Sequence, residues 1–347
     1  VQTPNVFSES FKRFGHFERL KMRITRDKIR GMFLGVAIGD ALGMPFESKK
    51  YEDIKNSRRL KGYRSSRRGK KGTWTDDTQL TLATALAIIE SGKIDMDNIA
   101  NWHVKAWKDT TMGWGGTTKD AVKKISEGEH WSKSGEFIGQ ENRGFGNGVP
   151  MKVAPLAAYF VLTNNFGNYK QILFDFTSIT HQTSIAVSSC HAHVAALMYC
   201  LNSTVEDFRV KAFLREVTAA SCIGRDYYTK PVDDITEKLE SLLKIYDVPD
   251  LLFDDEHLVK EFGGGTCYVY NSLPFSYAFF LRGPFSIDTL YDVAYAGGDA
   301  DTNASFVASM LGAICGTTIF PKLLIEGVQD KLQIIKIADL FYEKFYA

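Results

Sequence analysis

Two short stretches of this 347-residue chain crowd carboxylates and hydroxyls closely enough to hold a metal ion. In GTWTDDTQL, Thr75, Asp76, Asp77 and Thr78 stand just ahead of an apolar-periodic segment. In GGDADTNASF, Asp299, Asp301, Thr302 and Asn303 do the same, and Gly297 and Gly298 allow a tight approach. Oxygen donors without neighbouring Cys or His are hard ligands, suited to Mg²⁺, Mn²⁺ or Ca²⁺ and poorly to Zn²⁺. A plainer reading is also open: Thr and Asp cap helix N-termini, where acidic groups complement the helix dipole. Against it, each cluster offers more carboxylates than a cap can use. An EF-hand matches the second cluster only at Asp299, Asp301 and Asn303. Its obligatory glycine would be Ala304 and its closing glutamate Met310.

Helical periodicity dominates the segments that would position these clusters: Gln79 to Glu90, Ser184 to Leu201, Val205 to Cys222 and Asn303 to Ile319. Strand-like alternation is scarce. Small residues recur within the helical segments, as in Gly31, Gly35, Ala37, Gly39 and Ala41, and in Ala304, Ala308, Gly312 and Ala313. Glycine weakens a helix unless close packing compensates, so the pattern predicts a compact all-α bundle. With no repeat and no low-complexity linker, one domain is expected over 25–347, preceded by a basic and aromatic arm over 1–24. The composition, 44% apolar and 24% charged, is that of a globular protein.

Charge is uneven although the total is only +1. The stretch Lys49 to Lys71 carries a net positive charge of about nine. It reads as a solvated loop, as a surface steering anionic ligands to the adjoining acidic cluster, or as a nucleic-acid contact. No zinc-finger, RNP or helix-turn-helix signature accompanies it, so nucleic acid is not an expected partner. Five scattered cysteines without a CxxC pair argue against a secreted disulfide framework. The opening VQTPNVFSES lacks the layout of an export signal, and no stretch reads as the ~18 apolar residues of a spanning helix. A cytoplasmic location without membrane insertion is the expectation.

Five motifs in register carry a specific resemblance. GMFLGVAIGDALGMPFE (Gly31 to Glu47), GTWTDDTQL (Gly72 to Leu80), GFGNGVPMKVAPLA (Gly144 to Ala157), THQTSIAVSS (Thr180 to Ser189) and AGGDADTNA (Ala296 to Ala304) resemble, in order and spacing, the ADP-ribosylglycohydrolases. The resemblance implies an all-α orthogonal bundle with two Mg²⁺ or Mn²⁺ ions at the mouth of a cleft. It implies that Thr75, Asp76, Asp77, Asp299, Asp301 and Thr302 are the metal ligands. Asp76, Asp77 and Asp301 would also serve catalysis, and Glu47 would bind metal or shuttle a proton. Gly144, Phe145, Gly146, Asn147, Gly148 and Met151 would then line the diphosphate and adenosine of ADP-ribose, with the glycines turning backbone N–H groups inward. His181 would contact phosphate or ribose, and Gly115 in MGWGGTT would line the distal ribose. Lys152 departs from a position where many members have Arg, which loses a bidentate contact. Some relatives have an Asp between Met112 and Thr118, where this chain has none.

The resemblance thus predicts removal of ADP-ribose from a protein side chain, arginine first and serine as the alternative linkage. A second class of function also follows from the residues. The arm FKRFGHFERLKMRITRDKIR mixes Phe with Arg and Lys, and could insert into an ADP-ribosyltransferase toxin as an immunity protein would, or form a first helix on the bundle. Trp107 and Trp114 could flank the cleft or fill the core. Cys190, His191 and His193 share a segment but, one and two positions apart, not a helix face, and are read as core or surface residues and not as a metal set.

Overall fold

Gly31, Gly35, Gly39 and Gly43 recur every fourth residue, which aligns them on one face of the first long helix, α1 (Arg26–Gly43). The computed structural model describes residues 23–57, 61–140, 142–225, 227–228 and 233–346. In it the glycine face lies against a matching face of small residues on α13 (Ala300–Cys315). A Cβ added to Gly31 would meet the Gly312 carbonyl oxygen at 2.6 Å; on Gly35 it would meet Ala308 O at 2.3 Å, on Gly39 Ala304 O at 2.3 Å, and on Gly43 Ala300 O at 2.0 Å. As one number rises by four the other falls by four, so the helices run antiparallel, backbone against backbone. The end of α1 therefore lies beside the start of α13.

Twelve further helices of seven or more residues surround this pair among the described residues. They are α2 (Asp76–Ser91), α3 (Met96–Asp109), α4 (Gly116–Ser126), α5 (Ala154–Thr163), α6 (Tyr169–Ser178), α7 (Ser184–Asn202), α8 (Val210–Ser221), α9 (Ile235–Tyr246), α10 (Asp255–Glu261), α11 (Val269–Arg282), α12 (Asp288–Ala294) and α14 (Lys331–Phe345). The termini follow local chemistry. Thr25 accepts the Lys28 N–H at 3.2 Å to open α1, and Gly92, at φ +69°, closes α2. No strand occurs among the described residues; the one β-type contact is an isolated antiparallel bridge between Gly146 and Tyr268. α13 packs on α7, α11 and α12, while α1 packs on α2 and α14, so the central pair is covered on several sides.

Two expectations need correction. The segment from Val205 is helical only from Val210, since Val205, Glu206 and Asp207 fold into a turn whose Asp207 carboxylate accepts the Thr204 N–H at 2.6 Å. Also, three helical stretches, Arg26–Phe46, Ser184–Asn202 and Ala300–Ile319, are long and apolar enough to cross a membrane by length and composition. Their apolar windows are 94%, 94% and 78% buried within the fold, so the bundle core accounts for their hydropathy. Residues 1–22 of the proposed arm lie outside the described residues.

Candidate metal and ligand site

Asp40, in the last turn of α1, organises the first acidic cluster. It has no exposed surface, and the backbone and hydroxyl donors of Thr75 and Thr78 at the start of α2 turn toward it. Thr75 N–H donates to both its oxygens at 2.9 Å and Thr75 Oγ1 donates at 2.8 Å. Thr78 N–H and Thr78 Oγ1 donate at 3.1 and 2.7 Å. A carboxylate from another helix thus caps α2, a task the Thr75 side chain itself does not perform. The first turn of α2 is thereby fixed beside the first turn of α13, where Thr302 Oγ1 donates to Asp77 Oδ2 at 3.1 Å.

The second cluster is held by its glycines. Gly297 and Gly298 adopt φ +79° and +69°, and a Cβ on Gly298 would lie 2.0 Å from the Gly264 carbonyl oxygen. Gly298 N–H donates to Lys49 O at 2.8 Å, Ser48 N–H donates to Gly298 O at 2.7 Å, and Asp299 N–H donates to Gly265 O at 2.9 Å. This lacing draws Glu47 onto the turn. Glu47, Asp299 and Asp301 each present an oxygen within 4.8 Å of the others. Asn147 Nδ2 donates to Asp299 Oδ2 at 2.5 Å, and Glu47 also pairs with Arg68.

Such crowding of acids is unfavourable unless protons or cations neutralise it. Burial, then the Asp40 charge, pushes Asp76 up to about 8. Burial, followed by Asp40 and Asp76, holds Asp77 well above the ordinary carboxylate range, and burial with Asp299 and Asp77 does the same to Asp301. Asp299 is raised by burial against the hydrogen bond from Asn147, and Asp40 rises to about 6 by burial against its four donors. Asp77 Oδ1 is buried without a hydrogen-bond partner. An orphaned buried oxygen within a set of hard donors fits a divalent cation. Beside the cluster opens a cleft of about 660 Å³, lined in part by Glu47, Lys49, Lys50, Tyr51, Cys267 and Asp299.

The ADP-ribosylglycohydrolase family model matches residues 22–347. The chain belongs to the ADP-ribosylglycohydrolase family. Among curated relatives it is 25% identical to ADP-ribosylhydrolase ARH3 of Xenopus tropicalis, over 87% of this chain and 92% of that one. It is 24% identical to ADP-ribosylarginine hydrolase Tri1 of Pseudomonas putida, over 92% and 78%. It is 22% identical to ADP-ribosyl-[dinitrogen reductase] glycohydrolase of Rhodospirillum rubrum, over 88% and 92%. A solved ADP-ribosylglycohydrolase-related protein complex shares the fold at a TM-score of 0.69 and 22% identity, covering 92% of this chain and 98% of that one. The chain is accordingly a glycohydrolase with the all-α fold of its family.

The glycine-rich segment that the family resemblance assigns to ADP-ribose is pinned from three sides. Gly144 is the one glycine of its three with a left-handed backbone (φ +87°); its carbonyl accepts from Thr183 Oγ1 at 2.6 Å and its N–H reaches Thr117 Oγ1 at 3.4 Å. Asn147 N–H donates to Cys267 O at 3.0 Å, and Phe145 O accepts the Val269 N–H at 3.0 Å. These amides of Gly144 and Asn147 are therefore spent on protein partners, which removes the Gly144 N–H from the set expected to face an anion. Phe145 is half-buried, edge-on to Tyr268 at 6.4 Å, and its ring could stack on a base. Met151 is 5% exposed and lies at the inner end of the loop. Gly115 is exposed with open space around its Cβ position, whereas the neighbouring Gly113 (φ +87°) would place a Cβ 2.3 Å from Asp76 Oδ1.

Trp114 fills the core, its indole N–H donating to Gln79 Oε1 at 2.7 Å. His191 bonds to Val187 O and His193 to the Tyr277 hydroxyl, so the α7 histidines point to different partners. Much of the basic stretch is engaged within the molecule: Lys55 pairs with Glu52 and Glu256, Lys61 with Asp288, and Arg64 lies over the rings of Phe46 and Tyr295. Sequence reasoning missed Asp40, Thr78 as its donor, Gly113 and the left-handed run Gly263, Gly264 and Gly265. The available signals were an ionisable residue inside a glycine and alanine stripe and a triple glycine.

Proposed function

We propose that this glycohydrolase removes ADP-ribose from a modified arginine side chain of a protein, using two oxygen-ligated divalent cations, Mg²⁺ first and Mn²⁺ as a substitute. Thr75, Asp76 and Asp77 would ligate from the start of α2, and Asp299, Asp301 and Thr302 from the start of α13. The convergence of these two helix starts, closed by the Thr302–Asp77 hydrogen bond, is the observation that carries the reading. When bound, the cations would supply a water of lowered pKa and neutralise the carboxylates. Hydrolysis forms a bond from water oxygen to the anomeric carbon of the distal ribose and breaks the bond from that carbon to the guanidine nitrogen. Glu47, whose oxygen lies within 4.8 Å of those of Asp299 and Asp301, would take a proton from the water or return one to the leaving nitrogen. Phe145, Gly146, Asn147, Gly148, Met151 and His181 would hold the ADP-ribose, and Gly115 would edge the distal ribose.

The arginine assignment draws on the similarity to the ADP-ribosylarginine hydrolase Tri1. Serine linkage is the competing assignment within the same chemistry, and the acids alone do not discriminate. The test is release of free ADP-ribose from arginine-linked and serine-linked protein substrates, after EDTA and after Mg²⁺ is restored. Mg²⁺-dependent release from arginine supports the proposal, and release from serine alone transfers it to the other linkage. Asp301→Ala is expected to lower turnover by at least about 100-fold, given the several kcal/mol that metal-borne charge stabilisation supplies. Unchanged turnover in EDTA would end the metal reading.

A further inference from the structure

Lys152, Thr180 and His181 form a buried chain that ends at the glycine loop. Lys152 has no exposed surface; its Nζ donates to the Gly148 carbonyl at 2.7 Å and to Thr180 Oγ1 at 3.0 Å. Thr180 Oγ1 lies 2.9 Å from His181 Nδ1 and is itself fully buried. Burial and the Lys152 charge hold His181 well below its usual pKa, so its imidazole is neutral near pH 7 and carries a single N–H.

The position of that proton follows from hydrogen-bond accounting. While Lys152 is protonated its ammonium can only donate to Thr180 Oγ1, and burial brings Lys152 down to about 7 against the pull of Asp76, so the direction is fixed below that pH. If His181 Nδ1 also donated to this oxygen, the threonine hydroxyl proton would be buried without an acceptor. A buried donor without a partner is disfavoured. With the hydroxyl donating to Nδ1, all three groups are satisfied and the imidazole proton sits on Nε2. That nitrogen faces the ligand loop: a Cβ on Gly148 would lie 3.4 Å from it, and one on Gly146 3.9 Å.

We propose that Lys152 and Thr180 are positioning residues that lock His181 as an Nε2–H donor aimed across Gly146 and Gly148, selecting an acceptor-only oxygen such as a phosphate of ADP-ribose. This rests on the reading of the 144–148 loop as the ADP-ribose site. It also gives Lys152 a task in place of the bidentate contact that an arginine would make. The lysine clamps the loop carbonyl and sets the direction of the hydrogen-bond chain.

The experiment uses the full chain labelled with ¹⁵N-histidine, with His181 assigned by its loss in His181→Gln. Long-range ¹H–¹⁵N spectra near pH 6.5, where Lys152 is still mostly charged, should give the Nε2–H pattern for His181 in the wild type and in Thr180→Ser. In Thr180→Val, which keeps shape and loses the hydroxyl, the unprotonated Nδ1 resonance should move downfield as its hydrogen-bond donor is lost. Calorimetry should show ADP-ribose binding weakened about five- to tenfold in Thr180→Val and recovered in Thr180→Ser, the size expected for one neutral hydrogen bond. An Nδ1–H imidazole in the wild type overturns the proposal, and needs no variant to fold. An Nδ1 resonance unmoved in Thr180→Val overturns it as well. If the Nε2–H pattern is present but ADP-ribose leaves the His181 signals unmoved, the location of the ligand is wrong while the internal lock stands.

Discussion

At the scale of single residues, the site depends on a carboxylate that binds nothing from outside. Asp40 accepts four protein donors and also repels Asp76, Asp77 and Asp301. The two effects oppose each other in an Asp40→Ala variant. Leaving buried N–H and O–H groups unsatisfied costs about 1–3 kcal/mol each before relaxation, and hydrogen bonds to a charged group are among the stronger ones. Relief of repulsion is smaller, because Asp76, pushed up to about 8, already holds its proton near neutral pH, and Asp77 and Asp301 are raised in the same direction. Asp40→Ala should therefore lower unfolding stability by about 3 kcal/mol, read as a lower urea midpoint at unchanged slope. A raised midpoint would mean that repulsion dominates. Asp40 also marks where sequence reading stops. Asp76, Asp77, Asp299 and Asp301 were legible because acids that dense at a helix start exceed any capping need. A lone Asp in an apolar helix has no such excess, and its partners stand 35 and 38 residues away. Gly113 was invisible for the same reason, since only the folded chain brings it against Asp76.

At the scale of elements, two helices in backbone contact set the geometry of the cluster. The small-residue spacing announced close packing, but neither the partner helix nor its antiparallel register could be read from it, because several segments carry similar stripes. The contact separates stability from function along its length. Gly31 and Gly43 both abut opposing backbone, and twelve residues of helix put about 18 Å between them. Gly43 is the one beside the acids, where a Cβ would also lie 2.5 Å from Asp301 N. Alanine at either position should destabilise the fold by about 2 kcal/mol or more, since opposing backbone cannot yield without parting the helices. Only Gly43→Ala should weaken Mg²⁺ binding several-fold as well, because it displaces Asp301 from Asp77 and Glu47. Thermal unfolding with Mg²⁺ titration calorimetry on both variants decides this. Equal losses of affinity would show that the helix pair moves as one body and does not tune the cluster locally.

For the whole molecule, three distant stretches around Glu47, Asp77 and Asp301 are brought together by core packing, which gathers like charges in a buried place. A carboxyl whose folded-state pKa is raised stabilises the fold while it stays protonated, and loses that contribution as pH rises through the folded value. For Asp76 the loss runs from the ordinary value near 3.8 up to about 8, and for Asp77 and Asp301 the shift has the same sign. The buried bases Lys28, Lys152, His103 and His181 are shifted downward and contribute with the opposite slope. The bare pH profile therefore mixes both sets, but the added effect of a cation isolates the acids. Cation binding requires ionised carboxylates, so it competes with protons for the same oxygens. The rise in thermal midpoint produced by a fixed Mg²⁺ concentration should accordingly be small at pH 6 and grow by several degrees toward pH 8. Calorimetry at pH 7 should show about one to three protons released per protein. An equal Mg²⁺ shift at both pH values, with no protons released, would mean that the cation does not bind among these acids. The fold would then have to tolerate their crowding by proton uptake alone.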